Sequence, residues 1–455
     1  MKRALILALA LVAAGTWATA APQQQNTVLV WPGFQESAFP FLPVGGWNVM
    51  GTYSVAAAGM GETLLGPNGP AAGFLNPAFL VTIGQPAFSL SGRYSSNSYA
   101  SHGNSILGYQ LAGHEDSDAF RRGTGYFDQA GLSVPLGRWV VAANYELFQE
   151  YSFPTIKSGF GYVAPFAKID QTGSLRGVNL ALARRIGRGF AVGVSFSYLF
   201  GSVSRVEVSY PIYILTNILS AFLPGGLAGW LESLNLPGVG ALDSILPGGE
   251  IVLDRHFDLK APSFTIGATY EPDARWLFGL VLRPPVDIRI RTTSKTSTGM
   301  DMGTNGFPLV YETHGRNYMK LPLVAAASVR YRPVPRFQLA GDVSFWAWSE
   351  YATDLLPSGY GQELGENVLK LNLGAAYAFK LPWNILREIT VRAGYIYDPQ
   401  PYQAGTRFSR NFATAGLGFK IWRVYLDVAA KLGILSPEAQ RFRSNQLRAG
   451  LSVLF

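Results

Sequence analysis

The chain of 455 residues has no cysteine, four histidines and only 15% charged residues. The first absence removes disulfides, thiolate metal sites and thiol nucleophiles together. The histidines, His102, His114, His256 and His314, lack ligand spacing and fall mainly where loops are expected. No Gly-x-Ser-x-Gly elbow and no Walker loop is present, so no enzyme chemistry, metal or cofactor is expected. Charge of one sign is also scarce. A net +8, falling to +6 once Lys2 and Arg3 are removed, is mild and argues little about nucleic acid, which is not expected as a partner. Uninterrupted apolar runs are rare as well. Val208 to Leu231 carries no charge and has the length to cross a bilayer, but Pro211, Pro224, Gly225 and Gly226 break it.

What the chain has is glycine (51 residues), aromatics (13%) and a recurrent period of two. Lys2 and Arg3 precede an apolar stretch from Ala4 to Val12, and Ala18-Thr19-Ala20 offers a small-x-small cleavage site. Residues 1–20 therefore read as a secretory signal peptide, too short for a spanning helix. At the other end Leu447, Ala449, Leu451, Val453 and Phe455 alternate with Arg448, Gly450 and Ser452. A strand with one apolar face that ends on an aromatic is how outer-membrane barrels finish.

The alternation recurs near Ala87–Asn97, Tyr126–Leu136, Arg138–Glu150, Ser174–Arg185, Gly189–Ser209, His256–Tyr270, Arg275–Thr292, Lys320–Arg332, Arg336–Ser349, Asn367–Lys380, Glu388–Asp398, Asn411–Lys420, Ile421–Leu432 and Asn445–Phe455. That makes fourteen strands, an even number, as closure of an antiparallel barrel requires. Short connections such as Leu136–Arg138, Ile186–Arg188 and Pro333–Pro335 alternate with long ones such as Ser98–Gly125, Tyr151–Gly173, Tyr210–Arg255 and Ser294–Met319. Short turns face the periplasm in such barrels and long loops face outward. The expected fold is all-β, a 14-stranded antiparallel transmembrane β-barrel spanning residues 86–455.

Residues 21–85 are rich in Gly, Pro and Ala and do not alternate, which suits a hatch, or plug, inside the barrel. Pro77 pushes Asn76 toward an extended conformation, and the Asn side chain can close a turn onto the backbone. Gly61, Gly66 and Gly69 are either hinges or points of close approach. In the long apolar loop 210–255, Ile214, Leu215, Ile218, Leu219, Phe222 and Trp230 either cap the barrel mouth by packing together or capture a hydrophobic ligand. Alternation turns Gln338, Asp342, Ser344, Arg330, Ser328, Lys370, Asn372, Arg392, Asp427, Lys431, Asn144, Glu146, Arg205 and Glu207 inward, because a charge on the lipid face costs about 2–4 kcal/mol. These groups either satisfy one another, with Asp342 serving Arg330, or leave Lys370, Arg392 and Arg330 to hold a ligand carboxylate.

A hatch with the box Asn76-Pro77-Ala78 followed by fourteen strands resembles the FadL/TodX (OMPP1) family of long-chain fatty acid and hydrophobic-compound transporters. Leu321-Pro322, Tyr331-Arg332-Pro333, Leu339–Trp348, Arg392–Asp398 and Gly416-Leu417-Gly418 match that family's habits in order and spacing. The resemblance implies passive, hatch-gated uptake of fatty acids or aromatic hydrocarbons with lateral exit through the wall. It implies an outer-membrane monomer in contact with membrane lipid, assembled through its Phe455 strand by the barrel-assembly machinery. Asn76, Pro77, Ala78, Gly61 and Gly66 are then the hatch and gating residues. The alternative is a barrel that scaffolds or helps export other proteins, for which the sticky loop would serve as a docking surface. A general porin is disfavoured because a plug would block an open channel.

Overall fold

The computed structural model describes residues 50, 53–100, 119–159, 165–209, 250–299, 309–355, 366–399, 401, 409–434 and 442–455. The signal peptide, most of the extension before the hatch, and all six loop residues proposed for ligand capture lie outside them.

One sheet holds every strand: β1 (Ala87–Ala100), β2 (Ala119–Leu136), β3 (Trp139–Glu150), β4 (Phe153–Gly159), β5 (Pro165–Ile186), β6 (Phe190–Ser209), β7 (Glu250–Tyr270), β8 (Trp276–Arg283), β9 (Val286–Gly299), β10 (Leu309–Leu321), β11 (Val324–Val334), β12 (Phe337–Trp346), β13 (Ala352–Thr353), β14 (Val368–Lys380), β15 (Leu386–Pro399), β16 (Ser409–Ile421), β17 (Val424–Ile434) and β18 (Phe442–Leu454). β1 pairs with β2 on one side and with β18 on the other, from Ala87↔Leu454 to Tyr99↔Phe442, so the sheet closes. Four staves of the wall are built from two pieces each. β3 and β4 both pair with β5, β8 and β9 both pair with β7, β10 and β11 pair with β9 and β8, and β12 and β13 pair with β11 and β10. The wall is therefore the closed 14-stranded antiparallel barrel that the alternation predicts. Among the described residues no helix is long and apolar enough to cross a membrane.

The pieces have a chemical cause. Pro284 and Pro285 separate β8 from β9, and Pro322 separates β10 from β11. Proline has no N–H to give a ladder. Where a single strand is expected across Arg275–Thr292, and another across Lys320–Arg332, the wall is interrupted. β7 pairs with β9 up to Lys260 and with β8 from Ile266, so the rungs from Ala261 to Thr265, with Pro262 among them, are missing on that side.

Strands also run farther outward than alternation suggests. β1 continues to Ala100 and β2 begins at Ala119, while β5 begins at Pro165, β7 at Glu250 and β10 at Leu309. Stretches such as Thr292-Thr293-Ser294-Lys295-Thr296-Ser297 in β9 have no apolar face. Above the membrane both faces meet water, and backbone pairing continues without the period-two signal. The expected corner at Lys420-Ile421 falls instead at Trp422-Arg423, where Trp422 takes φ +55°.

Alternation sets the facing. Leu180 (64% exposed), Leu280 (62%) and Leu369 (57%) point to lipid. Ser328, Arg330, Asp342, Ser344, Lys370, Asn372, Arg392, Asp427 and Lys431 are all buried inside, as are Asn144, Glu146 and Arg205. Most of residues 53–80, within the described part of the segment expected as a hatch, are buried against the inward faces of the strands. The hatch contains helices α1 (Val55–Ala58) and α2 (Ala72–Leu75), with 3-10 segments of one turn at Gly69–Ala71 and two turns at Pro77–Thr82. The Ser54 hydroxyl caps α1 by accepting from the Ala57 N–H (3.1 Å) and donates to the Pro67 carbonyl (2.8 Å). The Asn68 amide donates to the Thr63 and Leu64 carbonyls (3.1 and 2.9 Å). These bonds fold the first half of the hatch into one compact knot.

Six short turns join β2 to β3, β5 to β6, β7 to β8, β11 to β12, β14 to β15 and β16 to β17. Aromatics ring this end of the outer surface: Trp139, Phe190, Tyr270, Trp276, Tyr377, Trp383, Trp422 and Phe455 are all exposed. Such girdles mark the headgroup level of a bilayer.

Candidate functional site

The hatch meets the wall with two different chemistries. Its first half is tied by charge. Glu62 is the only ionisable carboxylate or cation between residues 50 and 86, and it is 1% exposed. Its carboxylate accepts from Lys431 Nζ of β17 at 3.1 Å through both oxygens and from Arg448 Nη2 of β18 at 3.3 Å. Burial alone would raise its pKa, but Lys431 and Arg448 outweigh that and hold it at about 2. Glu62 also takes φ +55°, a left-handed conformation that costs a non-glycine residue about 1–3 kcal/mol. The ion pairs thus hold a locally unfavourable backbone in place.

Arg448 extends the network to Asp128 of β2 (3.7 Å), which meets Arg93 of β1 (3.7 Å), which in turn meets Glu150 (3.6 Å). Next to it, Gly61 donates its N–H to Thr414 Oγ1 (2.9 Å) and takes φ +71°. A Cβ there would collide with the Leu373 carbonyl of β14. Close approach and a left-handed backbone both account for this glycine. Gly66 packs its Cα against Thr63 and Ala57 inside the knot.

The second half is tied by packing. Asn76 is extended at φ −141°, ψ 95°, and its side-chain oxygen accepts from the Ala78 N–H at 3.2 Å, the turn expected of the box. Pro77 and Ala78 lie so close to β6 that a Cβ on Gly193 would strike the Ala78 nitrogen. The Asn76 side-chain nitrogen is buried without a hydrogen-bond partner among the described residues. An unmet buried donor costs about 1–3 kcal/mol, so the box sits in a conformation that a small shift could relax.

Leu75 and Leu64 of the hatch pack into the largest buried apolar cluster, formed by inward residues of β5 to β12. Leu175, Leu199, Val203, Phe257, Leu259, Ile288, Ile290, Met319, Trp346 and Trp348 belong to it. Three arginines of these strands are buried as well, Arg205 on β6, Arg283 on β8 and Arg330 on β11. Arg283, at the end of β8 beside the missing rungs, donates from Nε to Thr265 Oγ1 (3.0 Å) and from Nη2 to the Phe74 carbonyl of α2 (2.7 Å).

A second irregularity lies four staves away. β2 and β3 pair only from Leu136↔Trp139 up to Gln129↔Glu146, although β2 continues outward to Ala119. From Glu146 to Glu150 every residue of β3 is buried, and its ladder with β5 shifts between Leu147 and Gln149. The stave bends into the lumen there and leaves β2.

The three cations suggested for a ligand carboxylate have different surroundings. Lys370 Nζ lies 3.3 Å from Asp398 and 5.4 Å from the centre of the Trp346 ring. Arg392 Nη1 donates to Asp427 at 2.7 Å. Arg330 forms no ion pair within 4 Å among the described residues, feels Glu271 at longer range, and stacks its guanidinium over Phe79 of the hatch at 5.4 Å. Asp342 does not serve Arg330. It accepts the Leu64 N–H at 2.7 Å, because alternation places its carboxylate against the hatch rather than along the strand toward Arg330.

Sequence reasoning assigns Glu62 no role, and Arg283 enters it only with Leu277-Phe278-Gly279 as part of a hairpin that resembles the family's. A single carboxylate in an otherwise uncharged apolar segment was the available signal for Glu62, since such a group must find a cation inside. Arg283 sits on the inward phase of its strand directly before two prolines, and nothing but that phase marks it.

A closed 14-stranded barrel with an apolar surface and an aromatic girdle is an outer-membrane barrel, and residues of its own N-terminal segment lie within it. Residues 48–432 match the family profile of outer membrane protein transport proteins (OMPP1/FadL/TodX). The chain belongs to this family, which makes it an outer-membrane transporter of hydrophobic compounds and not an enzyme. The fold is similar to that of the P. putida toluene transporter TodX, at 17% identity and TM-score 0.58 over 90% of this chain and 99% of that one. A Pseudomonas aeruginosa FadL homologue aligns at 17% identity and TM-score 0.57, covering 88% and 97%. The monoaromatic hydrocarbon channel CymD aligns at 14% and 0.57, covering 90% and 99%. A comparison with curated protein sequences gave no significant match.

Proposed function

We propose that this transporter moves uncharged hydrophobic molecules, of the size of aromatic hydrocarbons, by passive diffusion along the apolar sector of its lumen. The observation that carries this reading is the division of the interior. The inward faces of β5 to β12 carry the largest apolar cluster, set among hydroxyl and amide groups and Arg205, Arg283, Arg330 and Asp342, while the inward cations Lys370, Arg392, Lys431 and Arg448 are each bonded to a carboxylate of the protein. An apolar ligand needs the first and has no use for the second. No nucleotide motif is present, so the concentration gradient and relative affinities drive the movement.

In this reading the Asn76-Pro77-Ala78 half of the hatch yields when ligand enters, with Gly61 and Gly66 allowing the turn between halves to adjust. The ligand leaves sideways where β3 bends away from β2, next to Phe148 and Tyr151. The relatives' names agree with the ligand class, since one is a toluene transporter and another a monoaromatic hydrocarbon channel.

Arg330 supports a second reading, in which the ligand is a fatty acid. It is the one member of the proposed trio with no ion pair within 4 Å among the described residues, and a guanidinium over an aromatic ring can receive a carboxylate through charge-assisted bonds.

Cells lacking their own hydrophobic-compound transporters, with and without this protein at matched surface levels, decide between the two. Uptake of labelled toluene without uptake of labelled oleate supports the first. The reverse, abolished by Arg330→Gln but not for the methyl ester, supports the second. Uptake of neither by a folded, surface-exposed barrel would overturn both and favour a role in docking other proteins.

A further inference from the structure

The short-turn end of the barrel carries a regularity that transport does not use. Each of the six short turns places one exposed arginine at or just after the corner: Arg138, Arg188, Arg275, Arg336, Arg387 and Arg423. None of the six forms an ion pair with an acidic side chain among the described residues. In three of the turns an aromatic belonging to the girdle stands beside the arginine, in Arg138-Trp139, Arg275-Trp276 and Trp422-Arg423, and in a fourth the half-buried Phe337 follows Arg336. The Arg423 guanidinium lies 5.2 Å from the Trp422 ring, and Arg184 on the outward face of β5 lies 4.8 Å from Trp139. The seventh corner, where β1 meets β18, joins the two ends of the barrel segment and carries no arginine.

We propose that this collar binds the phosphate-bearing headgroups of anionic phospholipids in the membrane leaflet that faces the short turns. Three features select that partner. The girdle fixes the collar at headgroup depth. A guanidinium presents paired donors that match a phosphate, which an ammonium does not. The charge encircles the barrel at every turn, as a lipid annulus does, whereas a docked protein covers one side. One arginine near an anionic surface is worth a factor of about five in local lipid concentration at low salt. Six such sites give the barrel a defined set of neighbours and fix its depth.

The test is lipid retention by the full-length protein in mixed micelles of phosphatidylglycerol and phosphatidylcholine with matched acyl chains, read by native mass spectrometry. The wild-type protein is expected to retain phosphatidylglycerol at least about tenfold over phosphatidylcholine. Replacing all six arginines by glutamine should bring the ratio close to one, while replacing them by lysine should keep part of it. Heat-modifiable mobility on gels reports whether each variant is folded. If the sixfold variant does not assemble, the pairs Arg138→Gln with Arg188→Gln and Arg387→Gln with Arg423→Gln should each lower the ratio at least threefold. Equal retention of the two lipids by the wild type, or an unchanged preference in the folded glutamine variants, overturns the proposal.

Discussion

The two walls of the lumen hold the hatch by opposite means. From β5 to β12 the inner face carries the largest apolar cluster, on which the hatch rests through Leu64 and Leu75, and its charged groups there reach the hatch backbone, Asp342 at Leu64 and Arg283 at Phe74, with no ion pair to it. From β14 through β18 and on to β2, the inner face is a chain of ion pairs, and the hatch is bound to it through Glu62. Apolar contact is non-directional and tolerates sliding. A buried, doubly paired carboxylate tolerates little, because removing either partner strands a charge in a low-dielectric interior. One half of the plug is therefore built to stay, and the other to give way.

The largest effect should come from placing a charge on the apolar wall. Leu259 is fully buried, and Leu259→Lys would bury an unpaired ammonium at a cost of several kcal/mol. Uptake of a neutral hydrocarbon should be lost while heat-modifiable mobility still reports a barrel; retained uptake would mean that the apolar sector is not the route. Next, Glu62→Gln should destabilise the docked hatch by about 3–5 kcal/mol, seen as protease access to the first half of the hatch and as larger single-channel conductance. Adding Lys431→Met should restore part of the loss. Unchanged protection in Glu62→Gln would show that packing alone holds this half.

The same latch should respond to acid. Glu62 has its pKa lowered from 4.5 to about 2 in the folded protein, so its ion pairs favour the docked hatch at any pH above the unfolded value. That contribution, about 3 kcal/mol, is lost as pH falls from about 4.5 through about 2. Conductance recorded down this range should rise, and Glu62→Gln should show no such rise. A rise of equal size in both proteins would assign it to another group.

Most of the architecture was legible because lipid leaves a chain few choices. The staves of the bilayer region announced themselves through alternation, and the short turns through their spacing. The legible part ended where the environment stopped being two-sided: the outer reaches of β9 and β10 face water on both sides and carry no period. The breaks at Pro284-Pro285 and Pro322 were written in the sequence, but a strand assigned by hydrophobic period alone runs straight through them. Inward facing was readable for Arg330, Lys370 and Arg392, whereas their partners were not. Lys370 meets Asp398 and Arg392 meets Asp427 across neighbouring strands, and such pairings depend on register, which one strand's pattern does not contain.

A smaller effect is expected at the box. Asn76→Ala removes the Asn oxygen from the Ala78 N–H and also removes the stranded side-chain nitrogen. Loss of a capping bond costs about 1 kcal/mol, and loss of an unmet buried donor returns a similar amount. The barrel should therefore melt within a few degrees of the wild type while uptake falls, because the turn that shapes the gate is gone. A variant that fails to assemble would instead make the box a folding element.

The smallest effect is the sharpest for the comparison of the two walls. Lys370→Met with Arg392→Met leaves Asp398 and Asp427 unpaired and should lower stability, yet it should change uptake of a fatty acid and of its methyl ester by the same factor. Both cations already have acidic partners at 3.3 and 2.7 Å, and a ligand carboxylate would have to displace one of them at a cost exceeding its own gain. A selective loss of the acid would show that such an exchange does occur, and that the charged wall takes part in transport as well as in holding the hatch.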